Sequence, residues 1–315
     1  MKSFFLALIL TIVSPVAALA QDQKADTTSN TGVAKSPSDA AAKPIADKWA
    51  VIVGISKYQD ASIPPLHYAE KDAKDFADFL VQGGHFAKDH VRLLTNEQAT
   101  REAILREVGD TFLPRVAHPD DLVVFYFSGH GSPSSRDIGH MNYIVAYDSH
   151  KSSLFASAIA VRSLPALMHA RVPAGRTVIV LDAAHSGGAI ESAEGLDLGS
   201  TVNNRGWLEP GQVMLCSSCG KDRNWDSKRY ANGVFTHRLI ECLRKAGPEA
   251  NLTDVFNKVR QATTDEVKED EGVDQQPVMQ TFAGGKSDIK LGATPAKAGS
   301  VPSSVEASSS ETTTK

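Results

Sequence analysis

What the sequence lacks sets its first limits. Beyond residue 20 no stretch is apolar and long enough to span a bilayer. No basic block with interleaved aromatics occurs and the net charge is −4, so no nucleic-acid partner is expected. There is no internal repeat. Cysteine is scarce, at three residues: Cys216, Cys219 and Cys242. What is present, 315 residues with 42% hydrophobic content, is enough for one sizeable α/β domain or two small ones.

Residues 1–20 read as an export signal. Lys2 gives the positive end, Phe4 to Val13 the apolar core, and Ala18-Leu19-Ala20 a cleavage site before Gln21. The alternative, an N-terminal anchor, suffers from the short core and from Ser14-Pro15 interrupting it. The expected location is periplasmic or extracellular, with no membrane contact after cleavage. Export implies an oxidising compartment. Cys216 and Cys219 form a C-x-x-C, but they follow a strand-like run rather than opening a helix, where a dipole would lower a thiol pKa. A local disulfide or two inert thiols are the readings favoured over redox chemistry. Residues 21–46 and 293–315 are rich in Ala, Ser, Thr and Lys without apolar period, and read as a disordered linker and tail. One domain, 47–292, lies between them.

Within it, short β-branched runs alternate with amphipathic stretches. Strands are expected at Trp49–Ile55, Val91–Leu94, Leu122–Phe127, Val178–Leu181, Gln212–Leu215 and Pro277–Phe282, with an extended run at Asn142–Ala146. Helices are expected at Tyr68–Gln82, at Arg101 to about Leu113 behind Thr100 as N-cap, at Ser163–Ala170, at Gly233–Lys245 and at Leu252 to about Val267. Gly187–Gly211 reads as a long functional or disordered loop. The alternation predicts an α/β fold, a mostly parallel sheet with helices on both faces.

Two strands end in small, polar turns carrying histidine: Ser128-Gly129-His130-Gly131 and Asp182-Ala183-Ala184-His185-Ser186-Gly187. In a parallel sheet both turns share the carboxyl edge, where ligands gather. Glycines beside His130 let the backbone approach a ligand and present an N–H to it. From the residues alone, Asp72 is an ordinary solvated helix residue; Asp182, ending a strand, is the stronger candidate.

These turns, with Val51-Ile52-Val53-Gly54-Ile55, Leu66-His67-Tyr68-Ala69-Glu70-Lys71-Asp72-Ala73 and Gly233-Val234-Phe235-Thr236, resemble the caspase-like cysteine peptidases, in their metacaspase and bacterial caspase-homologue branch. The resemblance covers roughly residues 48–285 and implies the caspase-like fold. By it, His130 matches the general base, the N–H of Gly131 an oxyanion donor, and Asp72 and Asp182 the acidic pair that selects Arg or Lys at the cleavage position. Two carboxylates suit that task through charge-assisted bonds. His185 and Ser186 shape the turn. Asp148 matches one position of the family's calcium site and Glu191 lies near another. Ala158-Ile159-Ala160 stands where adjacent aspartates belong, so no family-type calcium site and no other cofactor is expected.

The departure is central: Ala184 occupies the position of the nucleophilic cysteine. Alanine has no nucleophilic atom, and Cys216 and Cys219 do not match its place. Three functions follow in order. The first is a pseudo-peptidase holding basic, Arg- or Lys-bearing peptides or partner chains. The second is a cysteine endopeptidase cleaving after Arg or Lys, here in a Cys-to-Ala form. The third is a thiol protein using Cys216 and Cys219.

Overall fold

A computed structural model of the chain describes residues 43–132, 138, 141–183, 208–218, 224–282 and 286–299. The apolar runs form a six-stranded sheet from β1 (Lys48–Gly54), β2 (Val91–Thr95), β3 (Leu122–Gly129), β6 (Arg176–Ala183), β7 (Gln212–Cys216) and β8 (Val278–Thr281). Its order is β2-β1-β3-β6-β7-β8, parallel throughout except for the β7–β8 pair. β4 (Tyr143–Ile144) and β5 (Ile159–Ala160) pair separately, antiparallel. The fold is thus a caspase-like α/β sheet flanked by helices.

Side-chain alternation along the central strands explains their unbroken apolarity: each face feeds its own core. Ala50, Ile52, Val124, Tyr126, Val178 and Val180 pack with α1 (Ala69–Gln82), α6 (Val234–Ala246) and α7 (Leu252–Glu271) through Phe76, Leu80, Leu239 and Phe256. Val51, Val53, Phe125, Phe127, Ile179 and Leu181 pack with Ile104, Leu113 and Met168, from α2 (Arg101–Arg106), α3 (Leu113–Val116) and α5 (Ser163–Arg171). Each large side chain so buried contributes about 1.5–3 kcal/mol. α4 (Leu154–Ser157) is a short turn of helix between β4 and β5.

The single helix expected from Arg101 to about Leu113 is instead α2, a π turn over Glu107–Thr111, and α3. Thr100 does cap it, accepting the Ala103 amide at 3.1 Å. The wider turn brings Val108 and Phe112 into the core together with Ile104 and Leu113.

Both expected domain boundaries, 47 and 292, lie inside the described residues. Ile45 is buried, and its carbonyl accepts the Ala296 amide at 2.9 Å, while Ala46 accepts that of Lys297 at 3.1 Å. The small-residue composition of 293–299 hides this because the backbone makes the bonds. Beside this junction Lys48 is fully buried, its Nζ donating to Gly84 O at 2.7 Å and Leu291 O at 2.8 Å, with the Phe86 ring 5.1 Å away. Burial lowers its pKa from 10.5 to about 7.

The expected export signal, residues 21–42, residues 300–315 and Gly187–Trp207 of the long loop lie outside the described residues. Among the described residues no helix is long and apolar enough to cross a membrane.

Candidate active site

Sheet register assembles the carboxyl edge. Gly54 of β1 pairs with Ser128 of β3, Ser128 with Asp182 of β6, and Gly129 with Ala183. Asp182 lies two residues beyond Val180, so alternation aims it at the face covered by α1 and α6. α1 begins close to this edge because Gly54 lets it: a Cβ there would sit 2.4 Å from Ala73 Cβ and 2.7 Å from Ala69 O. Asp72 falls on the buried stripe of α1, among Ala69, Ala73, Phe76 and Leu80. The solvated reading of Asp72 is therefore corrected: it is 3% exposed, as is Asp182.

The two carboxylates meet across Gly233. A Cβ added there would lie 3.0 Å from Asp72 Oδ2 and 3.4 Å from Asp182 Oδ2. Asp72 Oδ1 accepts Asn232 Nδ2 at 2.9 Å and the Gly233 amide at 3.0 Å. Asp182 accepts Asn224 Nδ2 at 2.7 Å and Thr236 Oγ1 at 2.6 Å. Tyr126 OH, 2.6 Å from Thr236 Oγ1, donates to it in turn, since that hydroxyl's proton is spent on Asp182. Among the described residues no lysine or arginine pairs with either carboxylate. Burial raises the Asp182 pKa to about 6, with the Asp226 charge adding to it. Burial and the Asp182 charge hold Asp72 well above the ordinary carboxylate range. Asp226, which forms an isolated bridge with Gly233, also pairs with His67 Nδ1 at 3.0 Å.

His130 follows β3 directly and is 4% exposed. Its amide donates to Tyr58 OH at 2.7 Å and its Nε2 lies 2.8 Å from Pro64 O. A carbonyl can only accept, so Nε2 carries the proton and the lone pair of the neutral ring sits on Nδ1. The loop supplying Tyr58 and Pro64 is itself anchored. Asn96 Oδ1 takes the amides of Ser56 and Lys57, and Asp60 takes those of Ser62 and Lys151. Donors from Ser62 and Lys151 hold the Asp60 carboxyl down at about 2.

Gly131 lies opposite Ile144. The flanking bonds, Val145 N to His130 O at 3.0 Å and Ser132 N to Tyr143 O at 2.9 Å, make this a non-hydrogen-bonded pair. The Gly131 N–H therefore points away from β4.

Other expected residues fall apart from this cluster. Asp148 accepts the Arg101 amide at 2.7 Å and so caps α2. Cys216 is a free, fully buried thiol whose pKa is pushed up by burial, the opposite of what thiol chemistry needs. Ala184, His185, Ser186, Glu191 and Cys219 lie outside the described residues. Sequence reasoning missed Tyr58, Pro64, Asn224 and Asn232. Asn224 and Asn232 carry no periodic or spacing signal. Asp72 did carry one, as the charge at an apolar-stripe position of α1.

Comparison with known proteins bears on the family and the fold. The caspase-domain model of the peptidase C14 family matches residues 47–283. Metacaspase-1 of Meyerozyma guilliermondii is 28% identical over 159 residues, 46% of this chain and 36% of that protein. Metacaspase-1 of Yarrowia lipolytica is 26% identical over 208 residues, 61% of this chain and 39% of that protein. The chain thus spans well under half the length of these curated relatives. A crystal structure of a Geobacter sulfurreducens protein superposes with a TM-score of 0.53 at 17% identity, covering 78% of this chain and 99% of that one, a likeness of fold alone. The match over residues 47–283 makes this chain a member of the caspase-domain, peptidase C14, family.

Proposed function

We propose that this caspase-family domain holds basic peptides or partner chains at Asp72 and Asp182 and, as written, does not hydrolyse them. The observation carrying this reading is the meeting of two buried carboxylates across Gly233, with no lysine or arginine paired to either among the described residues. A guanidinium or ammonium group neutralises that pair and supplies N–H donors to it. Ala184 follows Ala183, the last residue of β6, and offers no atom to attack a peptide carbonyl.

The second reading, a cysteine endopeptidase cutting after Arg or Lys, is favoured by the state of His130 and Gly131. With a cysteine at 184, the Nδ1 lone pair would take the thiol proton, the thiolate would add to the carbonyl carbon, and the Gly131 N–H would face the oxygen that gains charge. The same two groups without a nucleophile retain only a small residue of catalysis.

One experiment separates these. The protein from Gln21 onward and its Ala184→Cys variant are assayed on fluorogenic peptides ending in Arg, Lys or Asp, and the unsubstituted protein is titrated with Arg peptides. Binding without cleavage, and cleavage after Arg or Lys only in the cysteine variant, are expected. Cleavage by the protein as written would overturn the role given to position 184. We also propose export, from Lys2, the Phe4–Val13 core and Ala18-Leu19-Ala20. Amino-terminal sequencing of the secreted protein tests it, with Gln21 expected first.

A further inference from the structure

One side chain at the carboxyl edge ties a loop to a helix. Gly54, the end of β1, pairs with Thr95, the end of β2. The chain leaves β2 through Asn96, whose φ of 43° lies in the left-handed region. Asparagine tolerates that region better than most residues, though less freely than glycine. The Asn96 side chain is 7% exposed and meets the backbone of Ser56, two residues past Gly54.

Both ends of this carboxamide are used. Its Oδ1 accepts the amides of Ser56 at 2.9 Å and Lys57 at 3.1 Å. Its Nδ2 donates to Glu70 Oε2 at 2.6 Å, in the first turn of α1. Bonds from Lys74 and Asn96 hold the Glu70 carboxyl below its ordinary range, so its oxygen only accepts and the carboxamide cannot be turned round. Ser56 in turn closes the loop. Its carbonyl accepts the Leu66 amide at 2.9 Å and its Oγ the Glu70 amide at 2.9 Å. Pro64, two residues before Leu66, presents its carbonyl to His130 Nε2 at 2.8 Å. Tyr58, two residues after Ser56, presents its hydroxyl to the His130 amide at 2.7 Å. The far side of the loop has separate ties, from Gln59 to Tyr147 and from Asp60 to Lys151.

We propose that Asn96 is a positioning residue for His130, pinning the foot of the 55–66 loop so that Pro64 O stays on the imidazole. Its left-handed backbone is the conformational cost of aiming one side chain at both the start of the loop and the helix that follows. Without that side chain the Ser56 and Lys57 amides lose their acceptor and the foot of the loop shifts. The inference rests on the role given to His130 under the second reading. Its test reads the imidazole itself, so a chain that cleaves nothing still answers it.

The test is hydrogen exchange followed by NMR, on the protein from Gln21 onward, on Asn96→Gly, and on Asn96→Asp combined with Glu70→Gln. Glycine keeps the left-handed turn without strain and removes only the side chain. The His130 Nε2 proton should be protected in the unsubstituted chain. In Asn96→Gly its exchange should accelerate at least about tenfold more than that of the Phe125 and Tyr126 amides in β3. The double variant exchanges donor and acceptor between positions 96 and 70, keeps an oxygen towards Ser56 and Lys57, and should restore protection. Equal protection in a folded Asn96→Gly chain, or no restoration in the double variant, would overturn the role of Asn96. Acceleration shared with β3, or loss of the fold in Asn96→Gly, would make Asn96 a structural residue instead. An unprotected Nε2 proton in the unsubstituted chain would remove the Pro64 contact and this inference with it. Absence of cleavage by Ala184→Cys, with the exchange results as expected, would count against the second reading alone.

Discussion

The two ends of the sheet both bury charge, and they treat it differently. At the amino edge Lys48 rests its Nζ on the carbonyls of Gly84 and Leu291, against an aromatic ring. At the carboxyl edge two like charges, Asp72 and Asp182, crowd one glycine, and Asn224 Oδ1 beside them is buried with no partner among the described residues. Burial pushes all three groups towards their neutral forms. The lysine closes its surroundings and joins distant parts of the chain. The carboxylates are held together against their repulsion, with a hydrogen bond still unmade. A fold concentrates such internal conflict where it binds something.

The largest expected effect is at Lys48. Lys48→Ala leaves the carbonyls of Gly84 and Leu291 without their donor and opens a void, so urea denaturation should show a loss of about 3–5 kcal/mol. A loss under about 1 kcal/mol would erase the structural half of the contrast. Asp182→Asn should act with the opposite sign on stability. Removing one of two like charges is expected to raise the unfolding free energy at pH 7.5 by about 1 kcal/mol while weakening an Arg peptide by at least about tenfold. Destabilisation by Asp182→Asn would make that charge structural after all.

The pH dependence sharpens the contrast further. Asp182 is raised from 3.8 to about 6, so between these values the folded chain binds more protons than the unfolded one, and its contribution to stability falls as pH rises. Lys48 is lowered from 10.5 to about 7, so from pH 7 to 10.5 the unfolded chain binds more, and stability rises with pH. Both groups oppose folding most between about pH 6 and 7. In denaturation series across pH, Asp182→Asn should flatten the acid limb and Lys48→Met the alkaline limb; exchanged or unchanged limbs would refute the assignment. The smallest effect is expected from Tyr58→Phe, which removes the acceptor of the His130 amide. About 1 kcal/mol of stability should go, with both limbs unchanged in slope.

Much of the fold was legible in the sequence because burial on two faces leaves continuous apolar runs, as in Leu122–Phe127 and Val178–Leu181. The carboxyl-edge turns were legible too, since Gly129, His130 and Asp182 interrupt those runs abruptly. Lys48 was not: a lysine opening a strand reads as a surface residue, and its acceptors are backbone oxygens at positions 84 and 291. The shell around the acidic pair was equally hidden. Asn232 reaches Asp72 across 160 positions and Asn224 reaches Asp182 across 42, distances at which composition and period say nothing. The π turn at Glu107–Thr111 escaped because local helix signals continue through it.

The hydrogen bonds from Ala296 and Lys297 to Ile45 and Ala46 make the domain nearly a closed ring. Residues 46 and 297 are near neighbours, so a short Gly/Ser linker from Gly299 to Lys43 can connect the old ends, and new ends can be opened at an exposed turn such as the one before α7. A circularly permuted chain of this kind should fold with its acidic pair intact. Sequence order would then be free for redesign at the edge that holds the acidic pair, while the opposite edge serves only as the seam.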